Sequence, residues 1–166
     1  MFLSFLAVGI FIFVVGNLAK NNQSIKIPGL NLSPTPTATA SLKTIKIGNK
    51  TIDVIVANNA ETRSRGLGGV TSLPVNQGML FVFESKKITP SFWMKDMKIS
   101  LDIIWIADNK VRQINANVMP PAANTPDSRL TIFTPTFPID YVLEVNGGLT
   151  TENNIRAGDV VDLNKI

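Results

Sequence analysis

Short apolar runs, separated by Gly, Pro, Asn or Asp, make up most of the chain from residue 42 onwards. In KTIKIGNKTIDVIVA, isoleucine and valine alternate with polar residues on both sides of Gly48-Asn49, a dipeptide suited to a tight turn between antiparallel strands. The runs GMLFVF, FWMK, LDIIWIA, KVRQINANV, IDYVLEVN and DVVDL have the length of strands. This pattern predicts a mainly β domain over residues 42–166, folded as a compact β-sandwich or partial barrel.

Two short helices are expected to interrupt the strands. Asn58 and Glu61 have the spacing of a capping box, and a group of glycines that begins at Gly66 would end the first helix after about two turns. A second helix is expected at Thr150 to Asn154, before the last strand.

The N-terminal segment MFLSFLAVGIFIFVVGNLA, residues 1–19, carries no charged side chain. As a helix at ~1.5 Å per residue it would reach ~29 Å, about the hydrocarbon thickness of a bilayer. A cleaved signal peptide is the alternative, but a basic start is missing and Asn17 breaks the small-residue pattern before a cut after Ala19. We therefore expect residues 1–19 to be a single-pass transmembrane anchor that holds the protein at the cell membrane.

Residues 20–41 are expected to be a linker. The segment NLSPTPTATAS is rich in proline and threonine, so it cannot bury enough apolar surface to fold and favours an extended spacer. Such spacers are typical of domains held clear of the outer membrane face, which favours an extracytoplasmic position for the β domain. Lys20 and Lys26 favour the opposite orientation under the positive-inside rule, but two residues give that rule little weight.

Cysteine and histidine are both absent from the 166 residues. Their absence excludes disulfides, Cys-ligated zinc, His-ligated metals, Cys nucleophiles and every catalytic triad that uses imidazole. The 16 Lys and Arg exceed the 12 Asp and Glu, but the basic residues are scattered, so nucleic acid is not an expected partner. No cofactor, metal site or catalytic residue is assigned, and a binding or accessory protein is favoured over an enzyme.

Three separated blocks of the sequence are similar to one known family. RGLGGVTSLPVNQGMLFVF, FWMKDMKISLDIIWI, and YVLEVNGG with IRAGDVV resemble, in order and spacing, the prokaryotic domain-of-unknown-function family 192, over most of residues 43–164. The resemblance implies a compact β-sandwich-like domain, often exported or membrane-anchored, with no established activity. The chain departs from the family pattern at Asp96, Ser100 and Gly147, where Asn, Pro and Ala are usual.

The apolar run LDIIWIA contains a carboxylate. On a strand, Asp102 would share a face with Ile104 and Ile106, where an unpaired charge is costly, so it needs a cation or several backbone donors. Arg65 and Lys95 are the nearest candidates in the similar blocks. A buried ion pair between Arg65 and Asp102, fixing the first helix to the sheet, is preferred to a catalytic carboxylate.

Lys95 and Trp93 are expected to lie on one face of the FWMK strand. A lysine amine beside an indole ring can orient an anionic or polyhydroxyl ligand. The alternative is a lysine whose stem packs on Trp93 and whose amine reaches water, and the spacing does not separate the two. Met79, Met94 and Met97 are interpreted as core residues rather than as a copper(I) site, because no His or Cys supports one.

These features predict a membrane-anchored, extracytoplasmic module of the cell envelope that binds a polar or anionic small molecule or a glycan. Arg65, Trp93, Lys95 and Asp102 are the candidate ligand-binding residues. One alternative is an envelope enzyme in which Asp102 is the general acid or base and Lys95 or Arg65 stabilises negative charge. Another is a purely structural interaction domain, which a dry interior ion pair without a cavity would favour.

Overall fold

The computed structural model describes residues 42–164 and residue 166. These residues form nine strands, two short α-helices and one 3-10 turn. The strands are β1 Lys43–Ile47, β2 Lys50–Ala57, β3 Gln77–Val82, β4 Phe92–Trp93, β5 Leu101–Ala107, β6 Lys110–Val118, β7 Ile132–Phe133, β8 Tyr141–Asn146 and β9 Val161–Asp162. The helices are α1 Ala60–Arg65 and α2 Leu149–Glu152, and the 3-10 turn is Asp127–Arg129. The prediction of a mainly β domain with short helices is confirmed.

The predicted transmembrane anchor, residues 1–19, and the predicted linker, residues 20–41, lie outside the described residues. Within the described part of the chain, no helix is both long enough and apolar enough to cross a membrane.

Seven of the described strands form one sheet, in the order β6-β5-β8-β3-β2-β1-β9. The two ends of this sheet meet, because a bridge joins Lys110 at the start of β6 to Val160 beside β9. The backbone N–H of Val161 also donates to the carbonyl oxygen of Asn109 at 2.8 Å. The sheet is therefore nearly closed and barrel-like, which decides between the two architectures that the strand pattern left open.

The first hairpin forms at the predicted dipeptide. β1 and β2 pair antiparallel, with Ile47 opposite Lys50. Gly48 has a φ of +54°, a backbone conformation that glycine adopts without the steric cost of a side chain. The Gly48-Asn49 sequence therefore sets the register of the first two strands.

The connection from β2 to β3 joins two parallel strands and contains α1. The helix begins one residue later than predicted, since Asn59 and not Asn58 is the N-cap. The Asn59 side chain accepts a hydrogen bond from the Thr62 backbone N–H at 2.9 Å, and the Thr62 hydroxyl accepts one from the Asn59 N–H at 3.3 Å. The predicted capping box exists in this shifted register, with Thr62 in the place given to Glu61. The helix ends at Gly66, as the glycine signal indicated.

The central strands bury both faces of the sheet. The inner face is filled by residues from all sides of the barrel, including Ile45, Ile52, Leu80, Ile104, Leu143 and Val161. The outer face carries a second cluster that includes Leu67, Met79, Phe81, Ile103, Trp105 and Val142. Because β5 contributes side chains alternately to both clusters, all seven of its residues are buried.

The outer cluster is partly covered by a two-stranded ribbon of β4 and β7. Phe92 packs edge-on against Phe81 and Trp105, with ring centroids 4.9 and 5.5 Å apart. Trp93, the next residue, pairs with Ile132 of β7 and is half exposed. The ribbon therefore packs on the sheet through Phe92 and Phe133 and exposes Trp93 to solvent.

Candidate ligand-binding groove

An open groove of about 700 Å³ lies between α1 with its following loop and residues 90–97, which contain β4 and are called the β4 segment below. This volume is within the range of small-molecule sites. The groove is lined by glycines of the loop, by aromatic rings and by charged side chains: Gly66, Gly68, Gly69, Phe81, Phe92, Trp93, Arg63, Arg65, Lys95, Asp96 and Glu144. A groove therefore opens beside Trp93 and brings Arg65, Trp93 and Lys95 to one place.

The loop after α1 approaches the β4 segment closely at Gly68. A side chain there would place its Cβ 3.1 Å from the Arg65 carbonyl oxygen and 3.8 Å from the Cβ of Asp96. The neighbouring Gly69 donates its backbone N–H to the Asp96 carbonyl oxygen at 3.0 Å. These contacts fix the loop against the β4 segment and set the width of the groove.

Trp93 and Lys95 lie side by side, but the predicted FWMK strand is shorter than expected, since β4 ends at Trp93 and Lys95 lies in the turn that follows. The Lys95 Nζ is 5.9 Å from the centroid of the half-exposed Trp93 ring. This amine forms an ion pair with Asp127 of the 3-10 turn, and the hydrogen bond to Asp127 raises the pKa of Lys95 above its usual value. Exposed ion pairs of this kind contribute little to stability, so a bound anion could replace Asp127 as the partner of the lysine.

Helix α1 supplies two further cations. Arg65 forms an ion pair with Glu61 at 2.6 Å, and both side chains are exposed. Arg63 is more buried and donates to the Val82 carbonyl oxygen at 2.9 Å, which holds its guanidinium near the end of β3. We refer to Arg63, Arg65 and Lys95 as the rim cations of the groove.

Glu144 lies on the outer face of β8, opposite Met79 on β3 and Ile103 on β5. The residue is only 5% exposed, yet it lines the groove. Its carboxyl group has no hydrogen-bond or ion-pair partner among residues 42–164, and its oxygens are not sealed from the groove. Burial raises the pKa of Glu144 from 4.5 to about 8, because the charged form loses its hydration. At neutral pH Glu144 is therefore a carboxylic acid that can donate and accept hydrogen bonds.

Asp102 is fully buried and does not line the groove. Its Oδ1 accepts from the backbone N–H groups of Asn117 and Gly148, at 2.6 and 2.9 Å. Its Oδ2 accepts from the backbone N–H and the hydroxyl of Thr150, at 2.7 and 2.6 Å. The predicted ion pair with Arg65 is wrong, and the other option, several backbone donors, is the one observed.

The four hydrogen bonds of Asp102 define a structural role. They connect the start of β5 to the first turn of α2 and to the end of β6, where the β5–β6 register shifts. Both carboxylate oxygens are occupied, so neither is free to contact a ligand or to exchange a proton with a substrate. This position gives no support to Asp102 as a general acid or base.

The three methionines near the β4 segment are core residues in this structure. Met79, Met94 and Met97 are buried in the cluster on the outer face. Among the residues with described positions, no group of three or more His, Cys, Asp or Glu side chains could hold a metal ion.

Glu144 and Arg63 line the groove but were not among the site residues predicted from the sequence. Glu144 occurs in the apolar run YVLEV, and the reasoning applied to Asp102, that a carboxylate in a buried strand needs an explanation, applies equally to it. Arg63 has no comparable signal, because a charged residue on a short polar helix is ordinary.

The chain is similar to one protein family and to solved structures. The model of the family DUF192, described as Uncharacterized ACR, matches residues 43–163. A crystal structure of a protein of unknown function from Novosphingobium aromaticivorans DSM 12444 is 27% identical, with a TM-score of 0.67, over 76% of this chain and 89% of that one. A "putative transcription regulator" from Sinorhizobium meliloti 1021 is 26% identical, with a TM-score of 0.65, over 74% of this chain and 94% of that one. None of the curated proteins compared with the chain matches it.

Proposed function

Since this chain belongs to domain-of-unknown-function family 192, whose description names no activity, we propose from the chemistry of its groove that the domain binds a polar or anionic small molecule or a glycan. The observation that carries the proposal is the groove itself, which combines a half-exposed indole, three rim cations and the buried carboxyl of Glu144. No chemical step is part of the proposed function.

The composition of the groove is that of a recognition site. Apolar and aromatic walls with a few polar groups are typical of small-molecule sites, where the polar groups set orientation and specificity. All three cations have exposed carboxylate partners that a ligand anion can replace, and Arg63 is also held in place by the Val82 carbonyl oxygen. Charge-assisted hydrogen bonds from such cations favour carboxylate or phosphate groups.

The proposed place of action is the outer side of the cell membrane. The uncharged residues 1–19 have the length of a membrane span, and the Pro- and Thr-rich residues 31–41 have the composition of a spacer. The groove would then meet ligands of the cell envelope.

Binding can be tested on the full-length protein with a panel of anionic metabolites and envelope glycans, followed by tryptophan fluorescence. Trp105 is fully buried and donates its indole N–H to Asn115 at 2.7 Å, so a ligand in the groove should change the emission of Trp93. Lys95→Met keeps the aliphatic stem and removes the charge. We expect it to weaken binding of a responding anion by roughly tenfold or more, with an unchanged midpoint of denaturant unfolding.

The matched control is Lys46→Met, the same change on the exposed face of β1, outside the groove. It should leave both binding and unfolding unchanged. A wild-type protein whose fluorescence responds to no member of the panel would overturn the proposed function. Equal binding by the Lys95→Met and Lys46→Met variants would also overturn it.

A further inference from the structure

We propose that the ligand of the groove is an acidic sugar, held by its carboxylate or phosphate at the rim cations and by a hydroxyl group at Glu144. This inference rests on the proposed binding function and names its ligand class. It follows from the different chemistry of the rim and of the base of one groove.

At the base, Glu144 favours an uncharged polar group. Glu144 is 5% exposed and lies opposite Met79 and Ile103. Its carboxyl group has no hydrogen-bond or ion-pair partner among the residues that the structure describes. A buried polar group without a partner is costly, so a ligand that supplies one gains affinity. A neutral carboxyl donates one hydrogen bond and accepts others, and a hydroxyl group does the same. A simple anion accepts hydrogen bonds but donates none, so it would pair only with the O–H of the Glu144 carboxyl.

At the rim, the rim cations favour an anion. Arg65 and Lys95 pair with the exposed Glu61 and Asp127, and Arg63 donates to the Val82 carbonyl oxygen and pairs with the exposed Glu84 at 3.4 Å. A carboxylate or phosphate can accept several charge-assisted hydrogen bonds from such a set.

The same groove also offers aromatic surface. Trp93 is half exposed, and Phe81 and Phe92 line the same groove. A sugar ring has an apolar C–H face that can lie on an indole while its hydroxyl groups point to the polar lining. One molecule with a flat body, an acidic group and hydroxyl groups therefore satisfies all three parts of the groove.

Ligand binding should depend on pH through Glu144. The charged groups that line the groove are Arg63 and Arg65 from α1 and Lys95 and Asp96 from the β4 segment, while the facing positions on β3 and β5 are apolar. The rim cations keep their charge as the pH rises, since a guanidinium is always charged in proteins and the hydrogen bond to Asp127 raises the pKa of Lys95. Loss of the Glu144 proton would remove a donor and add a negative charge beside an anionic ligand.

The test uses four probes with the full-length protein: glucuronate, glucose 6-phosphate, glucose and inorganic phosphate. We expect at least one acidic sugar to bind about tenfold or more tightly than both glucose and phosphate at pH 6.5. Comparison of glucuronate with glucose 6-phosphate identifies the preferred acidic group. If only the protonated form binds, affinity scales with the protonated fraction of a group with a pKa of about 8, so it falls about tenfold by pH 9.

Two substitutions separate the hydroxyl contact from anion binding. Glu144→Gln keeps a donor and an acceptor, so it should lose the fall in affinity that Glu144 causes between pH 6.5 and 9. Glucuronate shows this directly, because its carboxylate stays ionised throughout that range, whereas a phosphate group itself titrates near the lower end. Glu144→Leu removes both and should reduce the affinity for the acidic sugar to that for phosphate. Glu152→Gln, the same change at an exposed position of α2, should behave as the wild type.

The inference is overturned if phosphate alone binds as tightly as the acidic sugars, or if Glu144→Leu leaves the preferred sugar unaffected. It is also overturned if wild type and Glu144→Gln show the same pH dependence, a comparison that requires only the conservative variant to fold. In each of these cases a ligand still binds and the proposed function stands. If a member of the wider panel binds but neither acidic sugar does, the sugar inference alone fails.

Discussion

Replacement of Glu144 by glutamine should make the folded protein more stable at alkaline pH. The carboxyl is 5% exposed between Met79 and Ile103 and has no partner in the described part of the chain. Folding therefore removes the hydration of this group without replacing it, and the cost falls on the ionised form. Glutamine has nearly the same shape and no charge, so Glu144→Gln removes that cost alone.

The size of the effect follows from the two pKa values. Burial raises the pKa of Glu144 from 4.5 in the unfolded chain to about 8 in the folded protein. A raised carboxyl pKa costs no stability below pH 4.5, costs progressively more between pH 4.5 and 8, and reaches its limit above pH 8. At ~1.4 kcal/mol for each factor of ten in proton affinity, the cost increases by about 4 kcal/mol between pH 5 and pH 8.5.

The measurement is denaturant unfolding of wild type and Glu144→Gln at matched pH values from 5 to 8.5. All other titrating groups are common to the two proteins and cancel in the difference. The free energy of unfolding of Glu144→Gln should exceed that of the wild type by little at pH 5, and the excess should increase steadily to about 4 kcal/mol at pH 8.5. Glu152→Gln, at an exposed site, should track the wild type throughout. If the difference in unfolding free energy between Glu144→Gln and the wild type changed by less than about 1 kcal/mol over this pH range, the carboxyl would be hydrated in the folded state. That result would refute the reasoning.

Two further predictions concern positions outside the base of the groove. Asp102→Ala should destabilise the protein by about 3–5 kcal/mol, because three backbone N–H groups and a hydroxyl lose their acceptor. The control is Arg65→Ala, which removes an exposed ion pair and should cost below about 1 kcal/mol. An equally small loss for Asp102→Ala would argue against a structural role. Protease added to intact cells should release a soluble fragment cut within residues 21–41, whereas full protection until lysis would reverse the proposed orientation.

The strands and turns were largely determined by local sequence. The alternation around Gly48-Asn49 predicted the first hairpin, and the run LDIIWIA predicted β5 with its bounds unchanged. Alternation and turn chemistry act over a few residues, so a short window of sequence contains the information. The short strand β7 was missed, because two residues leave no periodic pattern to recognise.

Trp93 and Lys95 lie close together as expected, but not on one strand, because β4 ends at Trp93 and Lys95 lies in the following turn. The sequence further showed that Asp102 would be buried and would need partners. It could not show which, because the donors at Gly148 and Thr150 lie 46 and 48 residues along the chain. Arg65 was the wrong choice because nearness in a motif is not nearness in the fold.

The groove itself was decided only by tertiary structure. Its walls come from α1, β3, the β4 segment and β8, which are separated in sequence and meet because the nearly closed sheet positions them. Glu144 acquires its raised pKa from burial in the tertiary structure, where Met79 and Ile103 lie opposite it on the two neighbouring strands. Residue type and spacing determine which face of a strand a carboxyl occupies. Its charge at neutral pH depends on its hydration, and the hydration depends on which distant side chains exclude water from it.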